Sequence, residues 1–222
     1  MLYLYNKEAG KPQLTLIGDD HRYIFKVRRH KVEDVLHLRN LEDDLLHTYS
    51  VSYIDKRSVI LDLEESQTLE IKAKYSLHIG WCVIDPKSIE KALPSLNEMG
   101  VEKIIFIYCK RSQKSFKPDF KRLKKILLNS SQQSGRSKMM QLEMANDLED
   151  FLTRYPKSKM LNFSENNFIS NRDFNTIVIG CEGGFTKAEE ALFSLEDMIG
   201  FDTPLVLKSE SAVCAVSSQI LL

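Results

Sequence analysis

Two short segments near the C-terminal end carry groups that could bind a ligand. Residues 180–184 read Gly-Cys-Glu-Gly-Gly, and the glycines leave backbone N–H and C=O groups accessible. Residues 207–212 read Leu-Lys-Ser-Glu-Ser-Ala and introduce a helix rich in small residues. Together the segments could bind a neutral purine through main-chain hydrogen bonds. The glycine segment alone is equally compatible with a tight turn that binds nothing.

The elements around the glycine segment predict where it lies. Residues 177–179 are a β-branched strand, and Thr186 with Glu189 forms a capping box that predicts a helix to about Gly200. A strand, a glycine turn and a helix N-terminus in succession form a common ligand site in α/β proteins.

The chain after residue 74 alternates between strand and helix patterns, which predicts an α/β domain with a parallel sheet. Pro86 opens one helix, and Pro94 must kink or interrupt it. The predicted strands are 77–84, 101–108, 142–145, 159–163, 177–179 and 205–207, and the predicted helices are 85–100, 118–134, 148–155, 186–200 and 212–222.

The first 70 residues instead show short apolar segments between charged or turn-like breaks. These segments predict strands at 14–17, 35–38, 45–54 and 58–63, with one short helix between Asp20 and Arg29. Close-set strands with a single helix suggest a small β-barrel. The pattern changes near 70–76, so we expect two domains, 1–72 and 73–222.

The charges are segregated although they sum to zero, with 31 Lys and Arg against 31 Asp and Glu. Residues 21–31 contain no acid, and residues 110–125 carry eight basic residues against Asp119 alone. Such blocks can give a neutral protein a basic face that binds nucleic acid, although most charge runs are solvated helix surface.

Other features narrow the class of protein. No GxxxxGK[ST], GxSxG, HExxH or GxGxxG motif occurs. The sequence therefore lacks the motifs typical of ATPases, α/β-hydrolases, zinc proteases and dinucleotide dehydrogenases. The histidines lack metal-ligand spacing, so we expect no metal site. No apolar run or leader pattern predicts a membrane span or a signal peptide. The four cysteines have no CxxC pair, which favours free thiols in a cytoplasmic protein.

Several segments, in order along nearly the whole chain, resemble motifs of the RsmE family of the SPOUT superfamily. Residues 179–186 with Glu189 resemble its GPEGG motif, and 206–212 its ILR(A/T)ETA motif. The shorter matches are 132–136 with EQSGR, 97–101 with ELGV, 110–112 with ERS and 21–28 with the H…VLR segment.

This resemblance implies an enzyme that uses S-adenosylmethionine (SAM) to methylate N3 of one uridine in small-subunit (16S) ribosomal RNA. It also implies an N-terminal PUA-like barrel, a C-terminal domain with a deep trefoil knot, and a homodimer. The expected substrate is ribosomal RNA in the assembled 30S subunit, with no membrane involved.

The resemblance to the family motifs implies roles for individual residues. Arg136 would stabilise charge on the uracil oxygens. Glu210 is assigned as the second catalytic group, with Glu182 as the other available carboxylate and a structural role open for either. Arg28, Arg29 and Arg111 would bind RNA. The cofactor would contact Leu161, Gly180, Glu182, Gly183, Gly184, Val206, Leu207, Lys208 and Ser209.

The chain departs from the family pattern at several positions. Cys181 replaces the motif proline, which makes the turn less rigid, and it is expected to be a small filler rather than a nucleophile. Lys208 and Ser211 replace arginine and threonine. Two alternatives therefore stay open: methylation of another RNA position, and an RNA-binding protein that has lost activity.

Overall fold

The computed structural model describes residues 2–22, 24, 31, 34–167 and 174–222. It contains two compact units, one formed by Met1–Lys72 with Ser131–Lys138, the other by Ala73–Ser130 with Met139–Leu222. Arg28, Arg29 and most of the helix predicted at 20–29 lie outside the described residues. The described helical segment there is α1 (Gly18–His21).

The N-terminal unit contains a five-stranded sheet in which the order is β1-β3-β4-β5-β2. Only β1 and β3 are parallel, and the other pairs are antiparallel. Alternate apolar residues of the strands face a common core, as the period of two predicts. The strands are β1 (Leu4–Tyr5), β2 (Gln13–Ile17), β3 (Val35–Arg39), β4 (Leu45–Ile54) and β5 (Ser58–Thr68).

The four strands predicted in this unit are confirmed, but β5 is five residues longer than expected, ending at Thr68 rather than at residue 63. The second half of β5 is polar, so no alternation of apolar residues predicts it as a strand. It stays in the sheet because it pairs with the first residues of β4, including Leu45 with Thr68.

The C-terminal unit contains a six-stranded parallel sheet in the order β11-β9-β10-β6-β7-β8. Its central strands are almost wholly buried, as expected for a parallel sheet covered on both faces. The strands are β6 (His78–Cys82), β7 (Lys103–Ile107), β8 (Gln141–Ala145), β9 (Lys159–Leu161), β10 (Thr176–Ile179) and β11 (Met198–Ile199). The helices are α2 (Pro86–Met99), α3 (Phe120–Ser134), α4 (Leu148–Arg154), α5 (Lys187–Glu190) and α6 (Ser209–Leu221). The last four residues of α3 belong to the N-terminal unit.

The direction of winding reverses between β6 and β10. From β6 the chain builds β7 and β8 on one side, whereas β9, β10 and β11 occupy the other. Crevices at the carboxyl ends of the strands beside such a reversal are a recurrent ligand site in open α/β sheets.

The predicted helix 186–200 is wrong beyond Glu190. The structure instead has the four-residue α5, a 3₁₀ turn at Leu195–Asp197 and then β11. Gly200 is not a helix end: a Cβ there would lie 2.6 Å from the Ser164 backbone oxygen. Glycine is present because two backbone segments approach closely.

The predicted strand 205–207 is also wrong, because these residues form a loop. Leu205 and Val206 are 72% and 76% exposed. The edge of the sheet is occupied instead by β11, in which Ile199 aligns with Leu161 of β9.

Pro94 does not interrupt α2, which runs unbroken to Met99. A proline removes one helical hydrogen bond. Ile89, Leu93 and Leu96 are fully buried on one face, and this packing holds the helix together around the missing bond.

The expectation of four free thiols is wrong for two of them. Cys82 ends β6 and Cys109 follows β7, and they form a disulfide. Neighbouring parallel strands bring these residues together although 27 positions separate them in sequence. Cys181 and Cys214 are free.

Candidate cofactor-binding site

A cavity of about 230 Å³ lies at the carboxyl ends of β9 and β10. The strand ends, the loops that follow them and the first turn of α6 form its walls. The lining residues are Leu161, Asn162, Phe163, Ile179, Gly180, Cys181, Glu182, Gly183, Gly184, Phe185, Phe201, Thr203, Leu205, Val206, Leu207, Ser209 and Ala212.

This cavity brings together the residues predicted to contact the cofactor, with the exception of Lys208. Lys208 is the N-cap residue of α6, and its carbonyl accepts a hydrogen bond of 2.8 Å from the Ala212 N–H. Most of the residues missed by sequence reasoning adjoin a predicted one. Phe201 belongs to no motif, so nothing in the sequence singles it out.

The glycine segment is a tight turn. The Gly184 N–H donates to the Cys181 carbonyl at 2.8 Å, and Gly184 has a left-handed φ of +66°. Cys181 is buried, with its Sγ 4.0 Å from the Gly184 carbonyl oxygen. Its side chain therefore lies inside the turn, as expected for a small filler.

Ser209 connects three elements at this turn. The Trp81 indole Nε1–H donates to Ser209 Oγ at 2.8 Å, and Ser209 Oγ donates to the Gly180 carbonyl at 2.5 Å. Trp81 is fully buried on β6, so the bond to Ser209 satisfies an N–H that water does not reach. The hydroxyl of Ser209 thus fixes the start of α6 against the glycine turn.

Two further contacts hold the turn from the loop after β7. Arg111 Nη1 donates to the Gly183 carbonyl at 2.6 Å, and the Lys110 N–H donates to Glu189 Oε1 at 2.8 Å. The predicted capping box is confirmed, because the Glu189 N–H donates to Thr186 Oγ1 at 3.3 Å and the Thr186 N–H donates to Glu189 Oε2 at 2.8 Å. The Thr186 hydroxyl also donates to Glu189 Oε2 at 2.8 Å.

Glu189 is a buried carboxylate with an acidic pKa. Burial alone raises the pKa of Glu189. The hydrogen bonds from the Lys110 backbone and from the Thr186 backbone and hydroxyl outweigh burial, and the net pKa lies below the usual range. Glu189 is therefore a charged structural group that joins the loop after β7 to α5.

Comparison with known proteins places this arrangement in a family. The family described as "RNA methyltransferase domain" matches residues 71–221. Two Helicobacter pylori proteins named ribosomal RNA small subunit methyltransferase E are 36% and 37% identical over 222 residues, with 98% of this chain and 98% of each relative covered. The chain belongs to the ribosomal RNA small subunit methyltransferase E family.

Solved structures share the fold of this family member. The Neisseria gonorrhoeae ribosomal RNA small subunit methyltransferase E, bound to SAM, matches with a TM-score of 0.81 and 16% identity, over 98% of this chain and 95% of that one. A Legionella pneumophila protein in complex with SAM matches with a TM-score of 0.79 and 21% identity, over 98% and 96% of the two chains.

The cavity of this methyltransferase E family member has a lining that suits SAM. Its side chains are mostly apolar or absent, Glu182 contributes a carboxylate, and among the described residues no lysine or arginine lines it. Accessible main chain with apolar surface suits an adenine ring, and a carboxylate suits ribose hydroxyls or a cationic sulfonium.

The remaining predicted residues lie elsewhere. Glu210 is in the first turn of α6 and does not line the cavity; burial and then the charge of Glu210 raise the pKa of Cys214 one turn later. Arg136 belongs to the N-terminal unit, where it is buried and its Nε donates to the Lys138 carbonyl at 3.2 Å. The Tyr3 hydroxyl donates to the Arg136 carbonyl at 2.8 Å and anchors that segment.

Two classes of feature are not found in the part of the chain that the structure describes. No group of three or more His, Cys, Asp and Glu side chains there could hold a metal ion. Each helix in those same ranges is too short or too polar to cross a bilayer.

Proposed function

We propose that this protein transfers the methyl group of SAM to N3 of a uridine in small-subunit (16S) ribosomal RNA. The observation that carries the proposal is the cavity at the ends of β9 and β10. It is walled by the segments that match the family motifs, in a chain that matches the Helicobacter pylori methyltransferases over nearly its whole length.

The cofactor contacts follow from the lining. The main chain of 180–184 and 205–207 would bind the adenine, with Leu161 and Phe185 against its faces. Glu182 would accept hydrogen bonds from the ribose. When bound, SAM supplies an electrophilic methyl group on a cationic sulfur. Ser209 is a positioning residue, because its hydroxyl already bonds Trp81 and Gly180.

Catalysis would consist mainly of positioning. Uridine N3 carries a proton that must leave for attack to occur, and one of the two available carboxylates, Glu210 or Glu182, would accept it. The base-pairing edge of the uridine must be exposed by an unpaired or flipped nucleotide. Arg136 would stabilise the negative charge that develops on the uracil oxygens. Glu210 would be the second catalytic group, with Arg28, Arg29 and Arg111 holding the RNA backbone.

The same proposal includes the finer features of the family. The N-terminal domain, 1–72, would be a PUA-like barrel that binds RNA. The domain 73–222 would contain the deep trefoil knot, and two copies of the chain would form the active dimer in the cytoplasm. The assembled 30S subunit would be the substrate.

The deciding experiment supplies labelled SAM and purified protein to three substrates: unmethylated small subunits, naked 16S ribosomal RNA and transfer RNA. Mass spectrometry then maps the modified base. We expect 3-methyluridine at one site of the ribosomal RNA, with most transfer to assembled subunits. Methylation of transfer RNA alone, or methylation of an atom other than uridine N3, would overturn the proposal.

A further inference from the structure

One face of α3 and the loop before it are strongly basic. The buried stripe of α3 contains Leu123 and Leu127, so Lys121 and Lys125 project from the opposite face, with Lys124 beside them. The preceding loop adds two more exposed lysines. We name this surface the basic ridge, defined by Lys114, Lys117, Lys121, Lys124 and Lys125.

Carboxylates of the described residues do not pair with the lysines of the basic ridge. In the described ranges, no ion pair forms at any of its five lysines, whereas the adjacent Arg122 pairs with Glu90 at 2.6 Å. Asp119, the single acid between residues 110 and 125, accepts a hydrogen bond from the Arg122 N–H at 3.1 Å. The ridge therefore has a local positive charge although the whole chain is neutral.

The segment that carries the ridge begins at the cavity. Lys110 and Arg111, its first two residues, bond Glu189 and the Gly183 carbonyl. Further along, the Tyr108 hydroxyl donates to the Phe116 carbonyl at 2.8 Å and fixes the course of the loop. The basic ridge and the glycine turn thus belong to one unit and are joined through hydrogen-bonded residues.

We propose that the basic ridge binds the phosphate backbone of the substrate RNA, away from the nucleotide that is methylated. This rests on the proposed function, because it assigns a contact surface to the same substrate. Lysines act as point charges toward phosphate, so the ridge would add affinity without reading sequence. RNA is favoured over an anionic membrane or an acidic protein because the ridge continues from the loops of the cavity.

The test compares Lys121→Gln/Lys125→Gln with Lys74→Gln/Lys157→Gln. Lys74 and Lys157 are exposed lysines of the same unit that precede β6 and β9, and therefore lie at the opposite edge of the parallel sheet from the cavity. Affinity for a 16S ribosomal RNA fragment is measured across a salt series, and SAM affinity is measured separately by calorimetry. Vesicles of equal parts phosphatidylserine and phosphatidylcholine are the second probe.

We expect the ridge variant to bind the RNA on the order of tenfold more weakly near 0.1 M salt. Its slope of log K against log salt should be shallower by about 1.4 to 1.8, the value for two lost phosphate contacts. SAM affinity should not change. Lys121→Arg/Lys125→Arg keeps both positive charges and should therefore have the salt slope of the parent. In steady state, the KM for RNA should rise while kcat is retained.

Two results would overturn the proposal. One is the same salt slope for the parent, the ridge variant and the control variant. The other is a ridge variant that loses vesicle binding and keeps its RNA affinity. A parent protein that transfers no methyl group, with the slope still changed by the ridge variant, would contradict the proposed function and leave the ridge as an RNA-binding surface.

Discussion

Ser209 and Gly180 are joined by a hydrogen bond of 2.5 Å from the serine hydroxyl to the glycine carbonyl. The same hydroxyl accepts the buried indole N–H of Trp81, so one side chain connects β6, the glycine turn and α6. Ser209, a residue predicted to contact the cofactor, therefore shapes the cavity through contacts within the protein.

Ser209→Ala should destabilise the protein and weaken SAM binding. It leaves the indole N–H of Trp81 buried without a partner, which costs about 1–3 kcal/mol. The Gly180 carbonyl also loses its restraint, and we expect SAM affinity to fall on the order of tenfold. Urea unfolding and calorimetry check both effects. Ser218→Ala is the control, because that hydroxyl bonds the Ala215 carbonyl of its own helix. Equal losses in both variants would refute the special role of Ser209.

Glu189 should make stability depend on pH. Its pKa is lower in the folded protein than in the unfolded chain, because its hydrogen bonds outweigh the effect of burial. Its contribution is therefore fully present above the unfolded value of about 4.3 and is lost as the pH falls through the folded pKa. Glu189→Gln should lower the free energy of unfolding at pH 7 by about 1–3 kcal/mol.

The difference between parent and Glu189→Gln should shrink on acidification below about pH 4.3, as measured by urea unfolding at successive pH values. Glu196→Gln, at an exposed carboxylate in the same segment, should follow the parent throughout. A difference that stays constant down to the lowest pH would show that the charge of Glu189 contributes nothing.

Arg111 should support the cofactor turn even without RNA. Its Nη1–H bonds the Gly183 carbonyl at 2.6 Å, so Arg111→Ala should reduce SAM affinity by roughly two- to tenfold, the effect of one hydrogen bond. Calorimetry without RNA measures this. Arg154→Ala, which removes a donor to the Met144 carbonyl in the same unit, is the matched control. Loss of RNA affinity with SAM affinity intact would assign Arg111 to RNA alone.

Gly184→Ala and Gly200→Ala should destabilise the protein to different extents. At Gly184 an added Cβ meets open space, so Gly184→Ala should cost only the strain of the left-handed conformation, about 1–2 kcal/mol. At Gly200 the Cβ would approach the Ser164 and Asn162 backbone oxygens at 2.6 and 2.9 Å. Backbone there must move, so Gly200→Ala should lower Tm more than Gly184→Ala. The reverse order in thermal unfolding would contradict the close approach of these two segments.

Arg136→Ala should reduce methyl transfer much more than SAM binding, because its proposed role is to stabilise charge on the uracil during the reaction. Single-turnover transfer and calorimetric SAM affinity separate the two effects. Arg136→Lys keeps the charge and should retain part of the rate. A parallel loss of transfer and SAM affinity in Arg136→Ala would exclude this role.

The local part of the site could be predicted from the sequence. Thr186 and Glu189 lie three residues apart, so the sequence predicts their capping box, and the structure confirms it. The second oxygen of Glu189 bonds the Lys110 N–H, 79 residues away, and Trp81 bonds Ser209 across 128 residues. No local pattern encodes such pairings.

The errors in the predicted fold also arise where local sequence patterns carry no information. β11 has two residues, which is too short for any periodicity. The apolar run 205–207 predicts a strand because the sequence does not show that these side chains are exposed. The disulfide between Cys82 and Cys109 depends on strand order, which a spacing of 27 residues does not reveal.

The central claim is that the cavity between the glycine turn and the start of α6 binds the cofactor. A crystal structure of the protein with SAM tests it most directly. We predict density for SAM in this cavity, with the adenine against the main chain of 180–184 and 205–207 and the Ser209–Gly180 bond intact. Ordered SAM at any other place on the chain, with this cavity empty, would contradict the account.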